Sequence, residues 1–107
     1  MLIRGGYNIY PQEIEALLTS HPSVLEAAVV GVPDPAWGEI AVAYVSAAPG
    51  SMLDTAALQA HCKPILGLKT PKKFRFLDAL PKNANGKVDK PTLKDAALRA
   101  QGAEDHA

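Results

Sequence analysis

The stretch Val24-Leu25-Glu26-Ala27-Ala28-Val29-Val30-Gly31-Val32-Pro33-Asp34-Pro35-Ala36-Trp37-Gly38-Glu39-Ile40-Ala41-Val42-Ala43-Tyr44-Val45-Ser46 decides how this chain of 107 residues folds. From Val24 to Val32 it is nearly continuous apolar sequence rich in β-branched residues, the signature of a buried strand, interrupted by Gly31 and ended by Pro33. Pro33 to Gly38 has the composition of a turn. Glu39 to Ser46, with Ile40, Val42, Tyr44 and Val45, reads as a second strand. Two such runs joined by a short Pro- and Gly-containing connection predict an antiparallel hairpin at the centre of a sheet.

Outward from that hairpin, the chain supplies helices and shorter strands. Met1 to Arg4 and Tyr7 to Tyr10 flank Gly5-Gly6, the pattern of a two-residue β-turn needing positive φ. A strand this close to the first residue suggests a chain that begins inside a longer protein. Pro11 opens a helix at its favoured first position, acids fill the first turn, Ile14, Leu17 and Leu18 form its apolar stripe, and His21-Pro22 ends it. A second helix is expected from Thr55, capped by Asp54, to about Lys63, with Ala57, Leu58 and His61 or Cys62 inward and Pro64 limiting it. Phe74, Phe76 and Leu77 predict a third strand. The last helix is expected from Asp89–Pro91 to Arg99, with Leu93, Ala97 and Leu98 facing the core and a frayed tail over 100–107. The fold class is α+β: one small domain over 1–107, an N-terminal β-hairpin and a mainly three-stranded sheet packed by helices.

The formal net charge is zero, yet the signs are segregated. Before Cys62, Glu13, Glu15, Glu26, Asp34, Glu39 and Asp54 stand against Arg4. From Lys63 to Lys94, eight lysines and Arg75 stand against Asp78 and Asp89. Such a basic half attracts an anion or is simply a solvated surface. With few aromatics and no net positive charge the chain is not expected to bind nucleic acid. One cysteine, Cys62, excludes an internal disulfide and a cysteine-rich zinc site, and fits a reducing, cytoplasmic setting. The longest apolar run, Ala27 to Val32, is far too short to span a bilayer, and Arg4-Gly5-Gly6 stands where a signal peptide would be apolar. There is no P-loop, no histidine pair at metal-binding spacing and no nucleophile motif; His21, His61, His106 and Cys62 read as structural or tail residues.

The chemistry is expected in Leu80-Pro81-Lys82-Asn83-Ala84-Asn85-Gly86-Lys87-Val88-Asp89-Lys90. Pro81 fixes one φ, Asn83 and Asn85 tolerate left-handed or side-chain-capped conformations, and Gly86 lets the backbone approach whatever Lys87 touches. Two further features accompany it: the Gly5-Gly6 hairpin running into Tyr10-Pro11-Gln12-Glu13-Ile14-Glu15, and the turn Asp34-Pro35-Ala36-Trp37-Gly38-Glu39. Singly each has a plain structural explanation.

In this order, with Ile3 to Pro11, Ala28 to Asp34, Lys69-Thr70-Pro71-Lys72 and Leu80-Pro81-Lys82, they make the chain resemble the C-terminal domain of the adenylate-forming superfamily. That superfamily includes acyl-CoA synthetases, peptide-synthetase adenylation domains and firefly-type luciferases. The resemblance implies the small, mobile domain of an ATP-dependent acyl-CoA ligase, with Met1 just past the hinge to a large N-terminal adenylation domain. ATP, with Mg2+, and the carboxylic acid would bind on that large domain, and none of them on this chain alone. Lys87 matches the lysine that assists attack of the carboxylate on the α-phosphate, with Pro81 and Gly86 supporting its loop. The small domain would then rotate so that Gly5 and Gly6, with Trp37 beside them, line the pantetheine tunnel for CoA. Lys69, Lys72 and Lys73 would lie near the CoA phosphates, although some ligases carry arginine where this chain has Thr70. The Trp37-Gly38-Glu39 and Arg4-Gly5-Gly6-Tyr7-Asn8 spellings look more like CoA synthetases than peptide-synthetase domains. Two alternatives stand beside this: a carrier-protein pantetheine as acceptor, and a non-catalytic module that binds phosphate through the basic half. In the isolated chain, Lys87 is expected on an exposed, poorly ordered loop with no pocket around it.

Overall fold

The computed structural model describes residues 2–4, 7–34, 38–67, 70, 71 and 73–105. Strands β1 (Leu2–Arg4) and β2 (Tyr7–Ile9) precede helix α1 (Pro11–Thr19); β3 (Val24–Asp34) and β4 (Gly38–Ala47) follow, then α2 (Thr55–Leu66), β5 (Lys73–Phe76) and α3 (Lys90–Asp105). The stretch that decides the fold forms an antiparallel ribbon, from Glu26 opposite Ser46 to Asp34 opposite Gly38. A register shift between Val24 and Glu26 leaves Leu25 outside the ladder and more than half exposed.

β4 is the hub of a five-stranded sheet. β3 pairs along it, β1 joins it through Arg4 opposite Gly38, and β5 lies parallel to it, Val42 opposite Lys73 through Val45 opposite Phe76. The parallel sense of β5 follows from its route. A strand that returns through a helix, as β4–α2–β5 does, re-enters the sheet in the same direction. β3 therefore borders the sheet instead of sharing its centre. Its free edge is not bare: the Val29 N–H donates to Glu15 Oε2 at 2.7 Å, and Pro33, at the same parity, has no N–H to offer.

Strand alternation splits the core into two layers. On one face Val29, Ala41, Ala43 and Val45 pack with Ile14 and Leu18 of α1, Leu58 and Cys62 of α2, and Phe74 of β5. On the other, Ala28, Val30, Val32, Ile40, Val42 and Tyr44 pack with Leu80 and with Leu93 and Ala97 of α3. Burial on both faces explains why β3 and β4 read as continuous rather than alternating apolar sequence. Burial pushes the Tyr44 phenol above its ordinary value, the Arg75 guanidinium partly opposing this, and burial alone does the same to the Cys62 thiol.

Helix starts follow their local signals. Pro11 sits in the first turn of α1, and Asp54 caps α2 by accepting the Ala56 N–H at 3.1 Å. Four details differ from the sequence reading. Leu98, expected to face the core, is exposed, because Leu93 and Ala97, one turn apart, make the buried stripe of α3 and Leu98 falls to one side of it. α2 continues to Leu66 with Pro64 inside it, because a proline this near the end removes one bond of an exposed last turn. Its inward pair is Leu58 and Cys62, one turn apart, so Ala57 faces outward and His61 is half-buried. α3 runs to Asp105, so 100–105 is helical where a frayed tail is expected; nothing beyond Arg99 breaks the helix except Gly102, which a helix tolerates. His21 and His61 meet edge to face, ring centroids 5.0 Å apart, and His61 Nε2 lies 2.9 Å from the Leu17 carbonyl, tying α2 to the end of α1. His106 lies outside the described residues.

Candidate functional site

The segment between β5 and α3 is a small hairpin. Lys82 and Val88 form an antiparallel bridge, and the Pro81 carbonyl accepts the Asp89 N–H at 2.9 Å. At the tip, Asn83 N–H donates to the Lys87 carbonyl at 2.8 Å and Gly86 N–H to the Asn83 carbonyl at 3.0 Å, with Gly86 at φ +80°. This is a three-residue hairpin loop closed by a left-handed glycine, with asparagine at the first turn position. The Asn83 side chain completes it: Oδ1 accepts the N–H groups of Asn85 at 2.9 Å and of Lys87 at 3.1 Å.

Lys87 is exposed and its ammonium has no ion-pair partner among the described residues. The exposure agrees with the sequence reading; the poor order does not. The backbone that carries Lys87 is closed by hydrogen bonds, and the freedom lies in its own long side chain. Gly86 alone is left-handed here, since no described non-glycine residue has positive φ. A methyl group at Gly86 would meet nothing within 4 Å, so within this chain φ, not close approach, requires the glycine.

Both ends of the hairpin are rooted. Leu80 is buried in the second core layer, and Pro81 is half-buried beside it. Lys82 forms an ion pair with Glu26 at the start of β3. Asp89 caps α3, its Oδ1 accepting the Thr92 N–H at 3.2 Å. Lys90, the next residue, pairs with Glu15 Oε2 at 2.7 Å. Acids of the first half thus meet bases of the second, and part of the charge segregation is neutralised by folding. Sequence reasoning missed both partners. Glu15 and Glu26 stand at ordinary surface spacings, and nothing local marks them.

Gly5, Gly6, Trp37, Lys69 and Lys72 lie outside the described residues. Lys73 opens β5 opposite Val42 and is half-buried. The strands on either side of Gly5-Gly6 pair as a hairpin, with Arg4 opposite Tyr7. That hairpin meets the ribbon at Gly38, opposite Asp34, whereas the Lys87 hairpin is tied to Glu26. Eight residues of β3 separate the two attachments, about 27 Å at the usual strand rise. The β1–β2 hairpin and the Lys87 hairpin are therefore attached towards opposite ends of the β3–β4 ribbon. An open cleft of about 340 Å³, lined by Pro11, Val29, Val30, Gly31, Lys90, Pro91 and Lys94, does not include Lys87. No helix among the described residues is long and apolar enough to cross a membrane.

Comparison with known proteins agrees with the fold. The family model described as AMP-binding enzyme C-terminal domain matches residues 13–87. The sulfoacetate–CoA ligase of Cupriavidus necator is 52% identical over 98 residues, which cover 91% of this chain and 19% of the ligase. The fatty acid–[acyl-carrier-protein] ligase ScoC of Streptomyces coeruleorubidus is 42% identical over 95 residues, covering 88% of this chain and 18% of that protein. The structure of apo MatB from Rhodopseudomonas palustris superposes with a TM-score of 0.82 at 40% identity, over 89% of this chain and 19% of that one. The chain spans about a fifth of the length of the relatives it matches. It belongs to the AMP-binding enzyme C-terminal domain family, and its relatives include acyl-CoA ligases of the adenylate-forming superfamily.

Proposed function

We propose that this chain is the small catalytic domain of an ATP-dependent acyl-CoA ligase, working with a large adenylation domain that holds ATP and the carboxylic acid. The observation that carries this reading is the placing of the Lys87 hairpin and the β1–β2 hairpin at opposite ends of the β3–β4 ribbon. One active site cannot receive both ends together. A domain that rotates between two half-reactions can present them in turn.

In the first half-reaction a carboxylate oxygen attacks the α-phosphorus of ATP, the bond to pyrophosphate breaks, and an acyl-adenylate forms. Two anions must approach each other. The Lys87 ammonium, exposed on its stem, offsets their repulsion and stabilises the charge that builds on the phosphate oxygens. In the second, a thiolate sulfur attacks the acyl carbon, the bond to AMP breaks and the thioester leaves. Gly5 and Gly6 would line the thiol's path, where a side chain would obstruct it, and Trp37 would pack beside them. Lys69, Lys72 and Lys73 would face the CoA phosphates. A cytoplasmic setting accompanies this reading, in keeping with the buried free thiol of Cys62.

The test is a hybrid in which this chain replaces the matching segment of the Cupriavidus necator sulfoacetate–CoA ligase. Lys87→Ala should lower adenylate formation by about 100-fold or more and leave thioester formation from supplied acyl-adenylate intact. Equal loss of both steps would refute the assignment. The similarity to ScoC, whose name gives an acyl carrier protein as acceptor, supports a second reading with a carrier-protein pantetheine in the place of CoA. Comparing free CoA with a pantetheine-bearing carrier as acceptor separates the two.

A further inference from the structure

We propose that Asn83 is a positioning residue that fixes where Lys87 leaves the backbone; this rests on the reading of Lys87 as the adenylation lysine. Both backbone polar groups of Lys87 end on Asn83. Its N–H donates to Asn83 Oδ1 at 3.1 Å, and its carbonyl accepts the Asn83 N–H at 2.8 Å. Asn83 also takes the N–H of Asn85 on Oδ1 and that of Gly86 on its carbonyl, so four hydrogen bonds of the tip converge on one residue. Its side chain is exposed and contributes nothing to either core layer. What the amide does is hold the loop.

The hold is continuous with the sheet. Glu26 on β3 pairs with Lys82, Lys82 bridges Val88 across the hairpin stem, and Asn83 follows Lys82 directly. A route of ionic and backbone contacts therefore runs from the ribbon to the Cα of Lys87. When the domain turns, the lysine travels with the ribbon as part of a rigid body. Only its four-carbon stem has to find the phosphate. Without the Oδ1 acceptor, the Asn85 and Lys87 N–H groups turn to water and the tip samples other turns. Misplacing a reacting group by about 1 Å can cost about 100-fold in rate.

The experiment uses the same hybrid enzyme with Asn83→Ala, Asn83→Ser, Lys87→Ala and the Asn83→Ala/Lys87→Ala double variant. Asn83→Ala should lower kcat for adenylation by roughly 10- to 100-fold, while thioester formation from supplied adenylate stays within about twofold. Asn83→Ser, whose hydroxyl can accept the N–H two residues on, should recover most of the loss. The double variant should be no slower than Lys87→Ala alone, because Asn83 acts through Lys87. Adenylation kept in Asn83→Ala but lost in Lys87→Ala overturns this inference alone. Equal loss of both half-reactions in Asn83→Ala assigns the residue a general structural role and also overturns it. Adenylation that survives Lys87→Ala overturns the reading of Lys87 and, with it, this one.

Discussion

Replacing Glu15 tests whether one carboxylate holds three elements together. Its Oε2 accepts the Val29 N–H at 2.7 Å, across the free edge of β3, and pairs with Lys90 Nζ, also at 2.7 Å, at the start of α3. The two contacts differ in worth. Val29 is 1% exposed, and a backbone N–H left without a partner there costs about 1–3 kcal/mol. The Lys90 pair, with side chains 41% and 18% exposed, is screened by solvent and adds less than about 1 kcal/mol. Alanine is a slightly better helix former, which returns about 0.3 kcal/mol. Glu15→Ala should therefore destabilise the domain by about 2 kcal/mol. With an m-value of roughly 2 kcal/mol/M, the urea midpoint should fall by about 1 M. Glu15→Gln keeps a carbonyl oxygen for Val29 and loses the charge, so its loss should be about half as large. Urea titrations followed by circular dichroism, at low and at about 1 M salt, separate the terms, since salt weakens the Lys90 share and spares the Val29 share. A loss below about 0.5 kcal/mol for Glu15→Ala would mean that water takes over the N–H and that the latch contributes nothing. Equal losses for Gln and Ala would refute the assignment of the larger share to Val29.

The structure supports two further expectations. Gly86→Ala should cost roughly 1 kcal/mol, because the strain of φ +80° is about 1–2 kcal/mol, partly offset by a stiffer unfolded chain, and no clash adds to it; a loss above about 3 kcal/mol in thermal unfolding would mean that packing, not φ, selects the glycine. Burial raises the Cys62 thiol above its ordinary value, so its contribution is fully present below the unfolded thiol range and is lost as pH rises through the folded one. The stability of the native chain should therefore fall towards that of Cys62→Ala as pH is raised, and a pH-independent gap in urea titrations would contradict this.

The lysine hairpin illustrates how far sequence reaches into function. Asn83 at the first turn position and Gly86 at the fourth are a readable turn signal, because both act on their own backbone within four residues. Of the two conformations the sequence allows the asparagines, Asn83 takes the side-chain-capped one, its Oδ1 closing the loop on the Asn85 and Lys87 N–H groups. The helix caps were equally local, and Asp54 occupies the place expected of it. The proposal for Lys87 rests on the order of motifs around it. The ion pair that roots its hairpin was not legible, because Glu26 lies 56 residues before Lys82.

By itself the sequence determined the β3–β4 ribbon, the starts of α1 and α2 and the turn that displays Lys87, since each rests on backbone preferences or hydrogen bonds that span a few residues. Only the tertiary structure decided that β5 enters parallel to β4, that β3 borders the sheet under the Glu15 carboxylate, and that the two hairpins attach to the ribbon towards its opposite ends. These depend on which edge of β4 each later segment can reach after its helix has crossed a face. Charges far apart in the chain meet only after that choice has been made.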